Sequence, residues 1–248
     1  MSGPADITLF SHVANRPDDE LDLAQAALLI AEPHYPSLDI PHYMAELDRL
    51  GNEARSRVVA LRPGRGSDGM KAQALVSLLY QEAGFAGNRD DYYDPKNSFL
   101  NEVIDRRRGI PITLALVLVE VARRAGVAAF GIGFPGHFLV GVPAGRKCLY
   151  VDPFAGEVLT TDGLRSLYAM TTGRDGDPDP RILQAAPKAQ ILLRLLNNLR
   201  IIHRERGDRE ALRDVLLRIR VLAPTDGEVA AELDRMSTPP SGKPRVVN

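Results

Sequence analysis

Residues 109–126, Gly-Ile-Pro-Ile-Thr-Leu-Ala-Leu-Val-Leu-Val-Glu-Val-Ala-Arg-Arg-Ala-Gly, decide how this chain folds. From Ile112 the stretch is apolar almost all round, which predicts a helix buried at the centre of a fold. Pro111 suits its first turn, where the missing N–H would have no partner anyway. After Gly126 the period changes. Phe130, Ile132 and Phe134 alternate with Gly131 and Gly133, as in a strand. Phe138 to Val142 and Lys147 to Val151 are two further short apolar runs, and Pro143 to Arg146 between them reads as a hairpin turn.

That hairpin carries a geometric expectation. A turn centred on Ala144-Gly145 sets Val142 against Lys147, Leu139 against Tyr150 and His137 against Asp152. Directly opposed side chains share a face, with Cβ atoms roughly 4.5–5.5 Å apart. A carboxylate at that distance can hold an imidazole in one tautomer, as the orienting member of a nucleophile–base–orienter triad does. The plain alternative is a structural pair that stabilises a hairpin.

Working outward, Glu20 to Ala31 predicts a helix, with Leu21, Ala24, Leu28 and Ala31 on one stripe and Pro33 and Pro36 ending it. Ile40 to Val59 predicts a second, with Pro41 in its first turn and Tyr43, Leu47 and Leu50 facing inward. Residues 62–69 read as a loop, Met70 to Glu82 as a third helix and Phe99 to Arg107 as a short fourth. Between the last two, residues 88–98 are polar and turn-rich yet hold two tyrosines. Thr171 to Pro180 reads as a linker, and helix continues beyond it to Met236. The expected divisions are an N-terminal helical segment (1–69), a core (70–170), a linker (171–181), a C-terminal helical segment (182–236) and a disordered tail (237–248).

The 248 residues carry 31 basic and 32 acidic side chains, a formal charge of −1 that gives no general attraction to nucleic acid or membrane. No apolar run has the length of a membrane span, and no secretory leader is evident, so a cytoplasmic protein is expected. The single cysteine, Cys148, excludes an internal disulfide. His12, His34, His42, His137 and His203 show no metal-ligand spacing, so neither metal nor other cofactor is expected; His34 and His42 read as surface residues.

The order Gly109…Gly126…His137…Asp152-Pro153 resembles the transglutaminase-like branch of the papain fold. More specifically, residues 88–126 together with GFPGHFLV and VDPF are similar to the bacterial SirB family. The resemblance implies an α+β fold with a central buried helix against an antiparallel sheet, followed by a tetratricopeptide-type helical segment. Leu193 to Pro224 fits one such unit, with Gly207-Asp208 at its turn. In the wider superfamily the nucleophilic cysteine stands two residues after the glycine, at the helix N-terminus; here that place is Pro111.

Proline carries no nucleophile. Cys148, opposite Gly141 in the expected register, would lie about 13 Å along the strand from His137 at ~3.3 Å per residue. Thr113 offers a hydroxyl but would need an adjacent base. The expectation is therefore a pseudoenzyme with a vestigial His137–Asp152 dyad, acting as a protein- or peptide-binding regulatory module. Arg106, Arg107, Arg108, Thr113 and His137 are its candidate binding residues, the arginines and the helix N-terminus suiting an anion. The arginines could equally pair with Asp90, Asp91, Asp94 and Glu102 and order the adjoining loop. Two other readings stand beside it: a hydrolase or acyl transferase using the dyad with an unconventional nucleophile or activated water, and a purely structural subunit.

Overall fold

The computed structural model describes residues 7–61 and 67–237; the expectations for residues 62–66 of the loop and for the tail from residue 238 lie outside them. Helix α1 (Thr8–Ala14) buries Phe10 and Val13. Two turns of helix are too short a window for periodicity to show, and the sequence reading has no element there. Helix α2 (Leu23–Ala31) starts later than its predicted Glu20, because Asp22 is the cap: its side chain accepts a hydrogen bond from Gln25 N. Every residue of α2 except Gln25 is buried, so it is as central as the helix after Gly109.

Helix α3 (Ile40–Ala60) begins on an Asp39 cap with Pro41 in the first turn, as expected, and buries Leu47 and Leu50. Helix α4 (Ser67–Val76) passes into a π-helical turn over Ser77–Glu82. Two parallel two-residue strands follow, β1 (Ala86–Gly87) and β2 (Arg108–Gly109). They close off the tyrosine-bearing loop 88–98 and helix α5 (Leu100–Arg106), which stops at Arg107 in the left-handed conformation (φ 57°). Helix α6 (Pro111–Ala125) is the predicted buried helix, ended by Gly126 at φ 74°. It packs against α3, so closely at Gly51 that an added Cβ would lie 2.3 Å from the Arg124 Cβ.

The sheet is an antiparallel meander of β3 (Phe130–Ile132), β4 (Leu139–Ala144), β5 (Lys147–Asp152) and β6 (Glu157–Leu159). Val140, Val142 and Val151 join the core around α6, while Ile132 and Leu139 join Leu164 and Leu167 of α7 (Thr161–Thr172) in a second cluster. The fold is therefore α+β, with helices on both faces of the sheet. The sequence reading gives β6 and α7 no element of their own, and α7 runs two residues into the stretch read as linker. Helices α8 (Lys188–Arg206), α9 (Arg209–Leu222) and α10 (Gly227–Ser237) complete the chain. Leu192, Leu195 and Leu216 belong to the same apolar cluster as Leu28 and Leu116, so one core runs from α1 to α10. Among the described residues no helix is long and apolar enough to cross a membrane.

The hairpin register differs from the expected one by two residues. Ala144 pairs with Lys147, Gly141 with Tyr150 and Val140 with Val151, so the turn is Gly145-Arg146. Gly145 has φ 64° and Arg146 is not among the positive-φ residues, the pattern of a type II′ turn with glycine first. A turn on Ala144-Gly145 would instead force a residue with a Cβ into that left-handed position. Cys148 consequently faces Pro143, not Gly141, and lies further from His137 than expected.

Candidate functional site

His137 precedes β4 in a tight turn: its N–H donates to Phe134 O at 3.1 Å, and Gly136 before it has φ 63°. Asp152 ends β5. The two meet with His137 Nε2 2.9 Å from Asp152 Oδ1, both side chains largely buried. They are not directly opposed, because the shifted register makes Leu139 the cross-strand partner position of Asp152. A shift of two keeps the face, since side chains alternate with period two, and the diagonal still lets the ring reach the carboxylate.

Asp152 Oδ1 also accepts the Phe154 and Ala155 backbone N–H groups, at 2.8 and 3.1 Å. Burial pushes the carboxyl up, but the His137 hydrogen bond and charge and these two amides outweigh it and hold the pKa below the ordinary value. A carboxylate only accepts, so a neutral His137 ring carries its proton on Nε2 and leaves the Nδ1 lone pair as a base. The arrangement can therefore take up a proton at His137 Nδ1.

No side chain of α6 supplies a nucleophile to match it. Pro111 is the first residue of α6 and Ile110 its cap. Thr113, one of the candidate binding residues, is fully buried. Its hydroxyl accepts from Ile110 N at 3.1 Å and reaches Asn97 O at 2.7 Å, so it fastens the helix start instead of facing solvent. Cys148 is half-buried near the turn, and burial raises its thiol pKa. It is expected to react with an aromatic disulfide at pH 7.5 at least about fivefold more slowly than free cysteine, with full reactivity on unfolding. A rate equal to free cysteine would contradict the burial account.

The three arginines are engaged locally. Arg106 pairs with Asp94 at 3.1 Å and approaches Glu102 at 3.9 Å; Arg107 lies over the Phe85 ring at 4.6 Å; Arg108 donates to Gly84 O at 3.1 Å. This is the loop-ordering alternative for Arg106, with Asp94 and Glu102 but with neither Asp90 nor Asp91 in an ion pair among the described residues. His34, read as a surface residue, is half-buried and stacks on His203, with ring centroids 5.3 Å apart and planes 4° from parallel. Among the described residues no group of His, Cys, Asp and Glu is placed to hold a metal ion.

Several residues around the dyad escape a sequence reading. The Phe154 ring stands edge-on to His137 (centroids 6.4 Å) and to Tyr92 (6.0 Å), with Arg89 over it at 5.1 Å. Gly87 gives that ring its place, since a Cβ there would sit 2.5 Å from it. Arg194 of α8 donates to Phe134 O at 3.2 Å and to His137 O at 2.5 Å, clamping the turn that carries the histidine. Its one visible trace is a lone cation inside the leucine-rich stretch 191–196. The Tyr80 hydroxyl is buried with no hydrogen-bond partner among the described residues, and burial plus the Asp152 charge push its pKa up.

The model of the transglutaminase-like superfamily matches residues 41–197, from the start of α3 into α8 and through the dyad. The chain belongs to the transglutaminase-like superfamily. It is 40% identical to the UPF0162 protein of Xylella fastidiosa over 83% of this chain and 74% of that one. With the UPF0162 protein of Pseudomonas aeruginosa it shares 36% identity over 75% of this chain and 66% of the relative. Human F-box only protein 21 is 30% identical over 56% of this chain but only 25% of its own length. No solved structure matches the chain. The superfamily match includes α3, which packs against α6.

Proposed function

We propose that this member of the superfamily is a pseudoenzyme of SirB type, a cytoplasmic module that binds a protein or peptide partner through the face carrying His137. One observation carries the reading: the base and its orienting carboxylate are in contact at 2.9 Å, while the α6 start holds Pro111 and a Thr113 hydroxyl that is buried and hydrogen-bonded within its own surroundings. Acyl transfer through a covalent intermediate needs a nucleophile within reach of the base, and this helix supplies none. The partner contacts proposed are His137 with Arg106, Arg107 and Arg108, all of which keep some exposure. The antiparallel α8–α9 pair with Gly207 at its turn is read as a tetratricopeptide-type unit stacked on α10.

The persistence of a formed dyad favours a second reading, hydrolysis by water that His137 activates. The two separate cleanly. Under the binding reading, His137→Ala weakens retention of a partner isolated with the wild-type protein by about tenfold, and neither protein turns over ester or amide substrates. Thiol-independent hydrolysis that disappears in His137→Ala, with partner retention unchanged, would replace the first reading by the second.

A further inference from the structure

Two imidazoles lie face to face away from the dyad. His34, in the turn Glu32–His34 that follows α2, stacks on His203 in the last turn of α8, with ring centroids 5.3 Å apart and planes 4° from parallel. The Phe99 ring, just ahead of α5, also touches His34, at 4.7 Å between centroids. The stack therefore joins three parts of the chain that are far apart in sequence. Its two rings differ in their access to water. His34 is half-buried and lines a hollow open at the protein surface, whereas His203 is 4% exposed and neither of its ring nitrogens has a hydrogen-bond partner among the described residues.

The surrounding charges decide what a proton would do here. Arg218 of α9 acts on His34 and Arg206 at the end of α8 acts on His203, both against a second positive charge. Glu32, in the same turn as His34, interacts with Arg218, and Asp39 and His42 at the start of α3 line the hollow beside His34. Asp208 is the carboxylate that acts on both rings: one of its oxygens caps α9 by accepting from Ala211 N at 3.2 Å, and the other stands 3.5 Å from His203 Nδ1. Burial first, and then His203, push His34 down to about 4, and burial lowers His203 as well. Rings depressed in this way bind more protons once uncovered. Closure of the stack is therefore fully stable above about pH 6.5, and weakens as the pH falls toward about 4.

We propose that the His34–His203 stack is an acid-released latch: neutral, it holds the turn after α2 against the end of α8, and a proton taken from water by His34 frees the turn and leaves His203 to be charged against Asp208. Release uncovers the Phe99 ring, which is buried while the latch is closed. The opening is local. The other ties from α2 and the residues before it to α8 and α9 run from Lys188 Nζ to Leu21 O at 2.8 Å and from Arg218 Nε to Leu29 O at 3.3 Å, and neither rests on a titrating imidazole or carboxylate. The latch depends on neither reading of the dyad.

Amide hydrogen exchange of the full chain at pH 7.5 and pH 5.0, expressed as protection factors so that the intrinsic pH dependence of exchange cancels, reads the opening. The Tyr35 and Leu38 amides, which donate to Glu32 O and Tyr35 O, are expected to lose protection at least about thirtyfold at pH 5.0, the ratio that closed and open values of about 4 and about 6.5 give for one ring. Amides of the β4–β5 hairpin keep theirs within about threefold. His34→Phe leaves a ring on the stack but no proton to gain, and cuts the loss at the turn by at least about tenfold; His34→Gln reads the same should the phenylalanine variant fail to fold. By NMR the His34 ring titrates at least about one pH unit below a free imidazole. The idea fails if His34 titrates as free imidazole does, if the turn amides keep their protection at pH 5.0, if turn and hairpin amides lose it together, or if a folded His34→Phe or His34→Gln protein loses as much as wild type.

Discussion

Asp152→Ala is expected to lower the unfolding free energy by about 3 kcal/mol, and Asp152→Asn by only about 1 kcal/mol. Three donors converge on Asp152 Oδ1: His137 Nε2, Phe154 N and Ala155 N. Each hydrogen bond to an ionised acceptor contributes roughly 1.5–3 kcal/mol, and they share one atom, so the sum is less than additive. Alanine removes all three acceptances and frees the ring to rotate, whereas asparagine retains a neutral oxygen in the same place. The pH dependence has a definite sign. The folded-state carboxyl lies below its ordinary value of 3.8, so its stabilisation is complete above that value and is lost as the pH falls through the folded pKa. In denaturant titrations at pH 7 and pH 3.5, the stability difference between wild type and the Asp152→Asn variant therefore shrinks at the lower pH. Equal costs for the Ala and Asn variants at pH 7 would refute the hydrogen-bond account.

Gly51→Ala tests a competition between two effects of known size. Glycine in a helix interior is about 1 kcal/mol worse than alanine, so propensity alone makes the substitution favourable. Packing says otherwise. The new Cβ would lie 2.3 Å from the Arg124 Cβ, an atom rooted on the α6 backbone and not the end of a flexible chain. Arg124 cannot easily move aside: it is bound to Glu120, donates to Asp48 at 2.6 Å, and its carbonyl accepts from Arg55 at 2.7 Å. Overpacking costs typically 1–3 kcal/mol, and here α3 and α6 must separate along their longest contact. The net expectation is a loss of about 1–2 kcal/mol for Gly51→Ala and about 3 kcal/mol or more for Gly51→Val, read as falling denaturation midpoints. An alanine variant as stable as wild type would mean that the helices part without cost.

The long helices and the order of elements in the centre were legible because each carries a strong period and an unambiguous stop, as with Pro41 at the start of α3 and Gly126 at the end of α6. The register of the β4–β5 hairpin was not. Turns one residue apart shift the pairing by two, so both keep the apolar face inward, and only the backbone conformation of Gly145 chooses between them. The meeting of His137 and Asp152 survives that error because both registers leave them on one face. Short elements such as α1 and β6 fall below the length at which period speaks. Tyr80 leaves no mark in the sequence and Arg194 only a lone cation among leucines, since their parts in the site depend on residues far apart in the chain, Arg194 with the His137 turn and Tyr80 with the charge of Asp152.

The clamp from Arg194 to the His137 carbonyl has a practical corollary for anyone dividing the chain. A fragment ending before Lys188 would shed both the guanidinium that braces the histidine and the leucines that shelter α2, leaving greasy surface and an unmoored imidazole. Composition suggests scissors at residues 171–181, but mechanically the last helices are the keystone, and a force applied to them is felt at the ring.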